Sequence, residues 1–438
     1  MLEQIFGRFR GEISSIKAQK RSLIACCVLA FFVAAVLGGA LLSLQGCSKK
    51  GAKQTRIVIW EQKDPEEQAL MQKHIDVFMA QHPWIKVTTV HFETDQLHSQ
   101  FQTAALAGGG PQIVYGPSDK IGPYSVMKLI KPLESIFGPS FFAAFDEHSV
   151  PKLGGHIYAV PDQVGNHLML LYNKRLVSNA PTDTEEWIAM CRKETKDFNG
   201  DGLPDRYGLV FNFMEPFWLV PFLGGYGGWV MDANNNPTLD TEAMVKALKF
   251  LAALRNRWHV IPKESNYELS DTIFKQGHAA FLINGPWSVR AYIKAGIELG
   301  VTSIPKIKET GLYPTPMVSS KGYSISVNVA DKDLAIVKEL VTYLTSEEVQ
   351  RDMMNTLYIL PSRKKLYEEA ERSGNEILKG SLEQVRHGRP MPVVPEMRAI
   401  WDAIRPFYQS VLGGQMTPEE AAKKMQKRAV EKIREMKE

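Results

Sequence analysis

Residues 55–115 read TRIVIWEQKDPEEQALMQKHIDVFMAQHPWIKVTTVHFETDQLHSQFQTAALAGGGPQIVY, and this stretch decides the fold. Short apolar runs alternate in it with longer segments whose apolar residues recur at helical spacing. The predicted elements are strand Ile57–Trp60, helix Pro65–His82, strand Val87–Val90, helix His98–Ala107 and strand Ile113–Tyr115. Such alternation indicates an α/β fold with mostly parallel sheets.

The same alternation continues through the rest of the chain. Further strands are predicted at Ile157–Val160, Met169–Tyr172, Leu209–Phe211, Ala279–Ile283 and Ser324–Val329, and further helices at Thr241–Trp258, Asp331–Leu344 and Ser346–Leu357. The last helix opens at Thr417, which can cap it, with Pro418 in its first turn and Glu420 completing a capping box. The 438 residues are enough for a leader and two domains.

The N-terminus has the composition of an export signal. Several basic residues precede a run that carries no Asp, Glu, Lys or Arg between Arg21 and Lys49. The segment Leu44–Cys47, LQGC, resembles the lipobox of bacterial lipoproteins, which implies cleavage before Cys47 and acylation of its sulfur. The alternative is an uncleaved membrane anchor over Leu23–Leu44, which is long enough to span a bilayer. Under either interpretation the basic flank stays in the cytoplasm and the rest of the chain faces outward.

Composition limits the function classes. The hydrophobic content of 44% and charged content of 23% are ordinary for a globular protein, and a net charge of +4 gives no case for nucleic-acid binding. Cys26 and Cys27 lie in the leader and Cys47 is the lipid site, so only Cys191 remains in the mature body. No internal disulfide is therefore possible there, and Cys191 is expected to be a small buried residue.

Motifs in five parts of the chain follow the order of one known family. They are Pro111–Tyr115, Leu171–Lys174, Leu209–Trp218, Ala280–Trp287, and Met391–Met397 followed by Trp401 and Arg405. Together they resemble the maltose/maltodextrin-binding proteins, the solute receptors of ABC sugar importers, over the chain from about Thr55 to the C-terminus. The resemblance implies a type II periplasmic-binding-protein fold, with two lobes, each a mostly parallel sheet flanked by helices, and a ligand cleft between them.

The resemblance also implies a division of the chain. In this family the chain crosses between the lobes three times, and the candidate crossings are Pro161–Gly165, Lys321–Ser324 and Glu371–Gly374. The predicted organisation is a signal peptide at 1–46, the lipidated cysteine and tether at 47–54, an N-lobe from 55–163 and 323–372, and a C-lobe from 164–322 and 373–438.

A sugar site needs flat aromatic rings against the C–H faces of the sugar and planar polar groups for its hydroxyls. Glu215 stands beside an aromatic pair, a Gly-Pro turn precedes Trp287, and Trp401 and Arg405 are one helical turn apart. Acids after the early strands fit the rule that ligands collect beyond the carboxyl ends of strands. The predicted sugar-binding residues are Asp64, Asp119, Lys120, Glu215, Phe217, Trp218, Tyr267, Trp287, Trp401 and Arg405.

The acid-rich half of the site departs from the family pattern. Lys63 and Asp64 stand where maltose receptors carry Asp-Lys, Gly116 replaces a Trp, and Gly165 with Asn166 replaces a Glu. A sugar is therefore expected, with an oligosaccharide such as a maltose-like glycan as the ligand, and its identity is left open. The alternatives are a receptor for another polar solute such as glycerol 3-phosphate, which would use the cations Lys63, Lys120 and Arg405, and a secreted glycosidase, which would need two carboxylates.

The sequence predicts no enzyme and no cofactor, except for one possible structural ion. Asp197, Asn199, Asp201 and Asp205 alternate around glycines and resemble a calcium loop, although Gly208 stands where the bidentate Glu is expected. The alternative is a plain Asn-Gly/Asp-Gly turn. The expected partners are the sugar, the transmembrane permease subunits and the membrane through the lipid. We expect a monomer outside the cytoplasm, in the periplasm or at the cell surface.

Overall fold

The structure, a computed structural model, describes residues 54–438, and Thr55–Glu438 forms one unit. The predicted signal peptide, Cys47 and most of the predicted tether lie outside the described residues. In the described part, no helix is long and apolar enough to cross a membrane.

Twelve strands are present in the described residues. They are β1 (Thr55–Glu61), β2 (Ile85–His91), β3 (Ile113–Pro117), β4 (Lys152–Leu153), β5 (His156–Ile157), β6 (Val160–Gly165), β7 (Met169–Asn173), β8 (Tyr207–Phe211), β9 (Ala279–Asn284), β10 (Leu299–Thr302), β11 (Met317–Ile325) and β12 (Arg389–Pro390).

The helices of the described residues surround these strands. They are α1 (Pro65–Gln81), α2 (Thr94–Leu106), α3 (Ile121–Val126), α4 (Glu134–Phe137), α5 (Pro139–Phe142), α6 (Thr184–Glu194), α7 (Val220–Gly225), α8 (Glu242–Asn256), α9 (Tyr267–Lys275), α10 (Val289–Lys294), α11 (Asp331–Leu344), α12 (Glu347–Leu357), α13 (Lys364–Arg372), α14 (Glu376–Arg386), α15 (Glu396–Leu412) and α16 (Pro418–Lys437). Short 3₁₀ turns follow three strands, at Ser118–Lys120, Pro216–Trp218 and Pro286–Ser288.

The first sheet belongs to the N-lobe and has the order β12-β11-β3-β1-β2, with β6 also paired to β11. The strands β2, β1 and β3 run parallel, as the opening stretch of sequence predicts. The long strand β11 runs antiparallel to both β3 and β6. The apolar side chains of β1 and β3 pack with Phe78 of α1 and Leu340 of α11 in one core.

The second sheet belongs to the C-lobe and has the order β10-β7-β9-β8. Only β8 and β9 are parallel, while β7 and β10 pair antiparallel to their neighbours. The two-lobed α/β fold is confirmed, but this sheet is mixed where a mostly parallel one was expected. Antiparallel neighbours need no helical crossover between them. A strand that enters this lobe directly from a crossing between the lobes can therefore pair antiparallel with its neighbour. Trp187 and Phe281 lie in the core on one face of this sheet.

Most predicted elements are confirmed, and three differ. The predicted strand Ile157–Val160 is interrupted, because β5 ends at Ile157 and β6 begins at Val160. Of the predicted strand Ser324–Val329, only Ser324 and Ile325 belong to a strand, the end of β11, which begins at Met317. The early part of β11 is rich in serine and contains Lys321, so it lacks the apolar run that marks a buried strand, yet it is buried because neighbours pair on both sides. The helix predicted from His98 begins at Thr94. The predicted crossings at 161–165 and 321–324 lie in β6 and β11; the domain boundaries stay predictions.

Candidate functional site

The predicted C-lobe residues lie on short turns that follow strands. Phe217 and Trp218 lie in the 3₁₀ turn after β8, and Trp287 lies in the equivalent turn after β9. Tyr267 is the first residue of α9, whose start is fixed by the Asn266 side chain accepting the Leu269 N–H at 2.9 Å. Because β8 and β9 are parallel neighbours, these turns emerge at the same edge of the sheet.

These side chains form a continuous row of aromatic rings. The ring of Trp401, on α15, is 6.5 Å from that of Phe217, which is 5.7 Å from the ring of Trp218. Trp218 is in turn 6.5 Å from Tyr267, centroid to centroid, and the pairs meet edge to face. Tyr267 accepts a 3.0 Å hydrogen bond from Nε1 of Trp287. Such a row offers the apolar surface that sugar C–H faces require.

The rings of the row differ in how far they are exposed to solvent. Trp218 and Trp401 are 7% and 8% exposed, and the indole N–H of Trp218 donates to the Ile283 carbonyl at 2.9 Å. These two rings are therefore part of the C-lobe core in this structure. Trp287 and Tyr267 are half-buried. A Cβ on Gly285 would stand 2.0 Å from the Trp287 ring, so glycine is needed for the indole to lie against the chain there.

Glu215 and Arg405 form an ion pair beside the aromatic row. Their side chains are 34% and 29% exposed, so both keep contact with solvent. Arg405 follows Trp401 by one helical turn on α15, which brings the guanidinium to the Phe217 end of the row. A paired carboxylate and guanidinium present donors and acceptors in one plane, the arrangement that binds neighbouring hydroxyls.

Asp64 joins the two lobes. It precedes α1, and its Oδ2 accepts a 2.8 Å hydrogen bond from the hydroxyl of Tyr267 in the C-lobe. Together with the Trp287–Tyr267 bond, this makes a chain of hydrogen bonds across the cleft. At the rim, Lys294 of α10 and Glu66 of α1 form a second bridge of 2.9 Å. The observed arrangement therefore brings the lobes together.

The environment of Asp64 favours its protonated form. Burial raises the pKa of Asp64 to about 6, and the nearby carboxylates of Glu67 and Asp271 also raise it. Lys321 and the Tyr267 hydroxyl act in the opposite direction. The pKa of the Tyr267 hydroxyl is raised, mainly by burial and then by the charge of Asp64. The carboxyl group that accepts the cross-lobe hydrogen bond therefore keeps its proton to a higher pH than an exposed aspartate does.

Asp119 and Lys120 lie apart from the aromatic row. Lys120 Nζ is 3.3 Å from Asp119 Oδ2, and both side chains are largely buried. The Oδ1 atom of Asp119 is buried without a hydrogen-bond partner in the part of the chain that the structure describes. Lys120 lines a recess with Gln62, Gly116 and Tyr124. Hydrogen bonds, an ion pair and ring contacts link the other predicted site residues to one another. Among residues 54–438, no such contact links Asp119 or Lys120 to them.

The sequence did not predict a buried group of charged residues below the cleft. Lys63 Nζ lies 3.2 Å from Asp162 Oδ2 and 3.7 Å from the centroid of the Tyr115 ring. Tyr115 donates to the other oxygen of Asp162 at 2.9 Å. The signal was present: Asp162 interrupts the apolar run of β6, just as Lys321 interrupts β11. Charges inside otherwise uncharged strands are seldom buried unless they are paired.

The predicted calcium loop lies on the surface between α6 and β8. Asp197 accepts the backbone N–H groups of Gly200 and Gly202 at 2.7 and 2.9 Å. The amide nitrogen of Asn199 donates to Asp201 Oδ2 at 3.1 Å and to Asp205 Oδ1 at 3.4 Å. Among residues 54–438, no group of three or more His, Cys, Asp or Glu side chains is arranged to hold a metal. Calcium binding by the loop stays a prediction.

The fold and the site define the class of protein: two α/β lobes that meet over a cleft lined by aromatic and ion-paired side chains. The profile of the bacterial extracellular solute-binding protein family matches residues 73–379. The chain belongs to this family, whose members bind solutes and are not enzymes.

Individual relatives support this assignment. The chain is 25% identical over 363 residues to the maltotriose-binding protein of Pyrococcus abyssi, covering 82% of this chain and 77% of that protein. It is 26% identical over 405 residues to the galactooligosaccharide-binding protein of Bacillus subtilis, covering 87% and 91%. Among solved structures, the maltose/maltodextrin-binding domain from Bdellovibrio bacteriovorus bound to maltotriose superimposes with a TM-score of 0.85 at 40% identity, covering 87% of this chain and 100% of that one.

Proposed function

We propose that this protein is the sugar receptor of an ABC importer, that it takes a maltooligosaccharide into the cleft between its lobes, and that it presents the closed form to the permease. The observation that carries the proposal is the aromatic row from Trp401 to Tyr267 together with the hydrogen bond between Tyr267 and Asp64. A ligand that contacts both lobes stabilises their closed arrangement and shifts the population toward it.

The chemistry of the site supports a neutral polar ligand. Each cation that favoured a phosphate in the sequence has a carboxylate partner: Lys63 pairs with Asp162, Lys120 with Asp119, and Arg405 with Glu215. A doubly charged phosphate would have to compete with these carboxylates. Sugar hydroxyls both donate and accept hydrogen bonds, so they suit paired charges, and the aromatic rings suit the sugar C–H faces.

The names of the relatives narrow the range of candidate sugars. The P. abyssi relative and the ligand of the B. bacteriovorus structure both point to maltotriose, whereas the B. subtilis relative binds galactooligosaccharides. The structure at 40% identity carries the most weight, so an α-linked glucose oligosaccharide is the proposed ligand. The ten residues predicted from the sequence are the proposed site. Eight of them are the proposed contacts, and the buried rings of Trp218 and Trp401 hold the row in place from within the C-lobe.

Calorimetric titration with maltotriose, a galactooligosaccharide and glycerol 3-phosphate tests the proposal. We expect saturable binding of maltotriose, weaker binding of the galactooligosaccharide, and no heat from glycerol 3-phosphate. Chromatography of the recovered sugar should return maltotriose intact. Saturation by glycerol 3-phosphate without sugar binding would support the alternative receptor, and cleavage of the sugar would make the protein a glycosidase.

We also propose that the mature protein begins at an acylated Cys47 and stays tethered outside the cytoplasm as a monomer. The support is the LQGC segment after an uncharged run, and a curated relative of Streptococcus pneumoniae, 22% identical over 329 residues, is described as a solute-binding lipoprotein. Inhibition of the lipoprotein signal peptidase should leave a precursor of higher mass, and Cys47→Ala should release the protein from the membrane or leave it uncleaved. An unchanged mass in both experiments would favour the membrane anchor.

A further inference from the structure

One lysine lies at the floor of the cleft, and the residues predicted to bind sugar do not include it. Lys321 lies in the middle of β11, opposite Pro117 of β3 and Gln163 of β6. The register with β6 shifts between Lys321 and Gly322, which is a bulge that redirects the neighbouring side chains. A Cβ on Gly322 would stand 2.4 Å from the Val160 carbonyl oxygen, so only glycine fits this bulge.

The ammonium group of Lys321 lies between the two lobes. Its Nζ is 3.7 Å from Glu67 Oε2 on α1 in the N-lobe, and 5.2 Å from the centroid of the Trp287 ring in the C-lobe. Its charge also acts on Asp64, the residue that holds Tyr267 across the cleft. Lys321 is therefore next to the half-buried end of the aromatic row.

Lys321 is buried and has unused hydrogen-bonding capacity. Its side chain is only 8% exposed, yet none of its three N–H donors makes a hydrogen bond to a residue of the described chain. By contrast, the other buried lysine, Lys63, donates to Asp162 at 3.2 Å. The ammonium is balanced by its ion pair with Glu67, and its N–H donors stay available to an acceptor that arrives with the ligand.

The other groups near Lys321 define that acceptor. Asp64 and Glu67 place two carboxyl groups around the ammonium, and these would repel an anion. A hydroxyl can accept from Lys321 and donate to a carboxylate at the same time. The Trp287 ring beside it provides an apolar surface for the carbon skeleton of the same unit. A sugar unit with neighbouring hydroxyls has all of these features.

We propose that Lys321 donates a hydrogen bond to one hydroxyl of the sugar unit that lies against Trp287, and so determines which sugars this end of the cleft accepts. The inference rests on the proposed sugar-binding function and adds a specificity-determining residue to it. Lys321 reaches this position because β11 carries it between the lobes, so the contact forms when the cleft is closed. The cation also counters the charge of Glu67, which anchors the start of α1 by accepting the Asp64 N–H at 3.3 Å.

The test uses maltotriose and its monodeoxy analogues, each lacking one hydroxyl, with Lys321→Met and the matched variant Lys73→Met. Methionine keeps the length of the side chain and removes its charge and donors. Lys73 of α1 also pairs with an acid, Asp352 of α12, but its side chain is 61% exposed. We expect Lys321→Met to weaken maltotriose binding by about 10- to 100-fold, the range for a hydrogen bond to a charged group, and Lys73→Met to change it by less than about threefold.

The deoxy analogues separate a direct contact from a structural role. One analogue should bind the unsubstituted protein about 10-fold or more weakly and lose nothing further in Lys321→Met, because the lost hydroxyl and the lost ammonium are the two ends of one bond. Lys321→Gln, which keeps a shorter neutral donor, provides the same comparison if the methionine variant does not fold. Equal losses for every analogue in both proteins, or unchanged maltotriose binding by the variants, would overturn the role of Lys321. If the unsubstituted protein binds no sugar, the proposed function fails first.

Discussion

The two walls of the cleft are built on different principles. The C-lobe wall is a row of aromatic rings in mutual contact, and two of them, Trp218 and Trp401, are buried in the core of that lobe. The N-lobe wall carries charged side chains, among them the pair Lys120–Asp119 and Lys321 beside Glu67, with the buried pair Lys63–Asp162 below it. The C-lobe surface is therefore preorganised by packing, which reduces the entropic cost of binding, while the N-lobe surface responds to charge and to closure.

The largest expected effect is the loss of stability when a buried ring of the aromatic wall is replaced by alanine. Trp218→Ala should lower the free energy of unfolding by about 3 to 5 kcal/mol, because it removes a buried indole and leaves the Ile283 carbonyl without its donor. Urea unfolding followed by circular dichroism measures this change. Trp187→Ala is the matched control, because Trp187 is buried in the same core without a predicted role in the site. If Trp218→Ala keeps its stability but loses sugar binding, the ring is a ligand platform.

The next effect concerns the bond that joins the two walls. Tyr267→Phe removes the hydroxyl that donates to Asp64 and accepts from Trp287, so the closed form loses its cross-lobe hydrogen bond. Sugar affinity should fall by about 1 to 2 kcal/mol, roughly 5- to 30-fold in Kd, by calorimetry. Tyr292→Phe is the control, since the Tyr292 hydroxyl accepts from Asn284 at 2.9 Å within the C-lobe core. The control should lose stability and keep its affinity. Equal affinity losses in both variants would contradict a specific role for the cross-lobe bond.

The charged wall should respond to pH, and the aromatic wall should not. The pKa of Asp64 is raised from 3.8 to about 6, so the folded, closed form binds this proton more tightly than the unfolded chain does. The stability difference between the unsubstituted protein and Asp64→Asn should therefore shift in favour of the unsubstituted protein as pH falls from above 6 to below 4. The shift should be about 2 to 3 kcal/mol, and denaturant midpoints of both proteins between pH 4 and 8 measure it. Parallel pH profiles would show that Asp64 is not desolvated by closure.

The smallest expected effect lies outside both walls. If the loop of Asp197, Asn199, Asp201 and Asp205 binds calcium, 1 mM Ca²⁺ should raise the melting temperature by about a few degrees, because a ligand that binds only the folded form stabilises it. The affinity for sugar should stay unchanged. Asp201→Asn should reduce that rise. An unchanged melting temperature with calcium or with excess chelator would leave the loop as an Asn-Gly/Asp-Gly turn.

Local sequence predicted most of the fold because hydrophobic periodicity is strong in it. The helices at 331–344 and 347–357 and the strands β1, β7 and β9 lie where the apolar spacing places them. The prediction failed at β11 and in the direction of the C-lobe strands. Both depend on which strand lies next to which, and that is set by neighbours distant in sequence.

The site was predicted unevenly for the same reason. Aromatic residues next to Gly-Pro or Glu-Pro turns are visible in the sequence, so the members of the C-lobe wall could be named in advance. Lys321, Glu67 and Asp162 could not, because each is an ordinary charged residue until the fold buries it. Their signal was only that a charge interrupts a buried element, and burial itself is a tertiary property.

The sequence alone determined the alternation of strands and helices, because this follows from local composition and spacing. It also predicts the export signal with Cys47 from composition, and the aromatic residues of the cleft with the help of the family resemblance. The tertiary structure decided that the rings touch one another, that Tyr267 of one lobe binds Asp64 of the other, and that the Lys321 side chain lies between the lobes without a hydrogen bond to any of residues 54–438. The physical reason is that pairing, desolvation and contact join residues far apart in the chain, 203 positions in the Asp64–Tyr267 bond, and no local pattern records such distances.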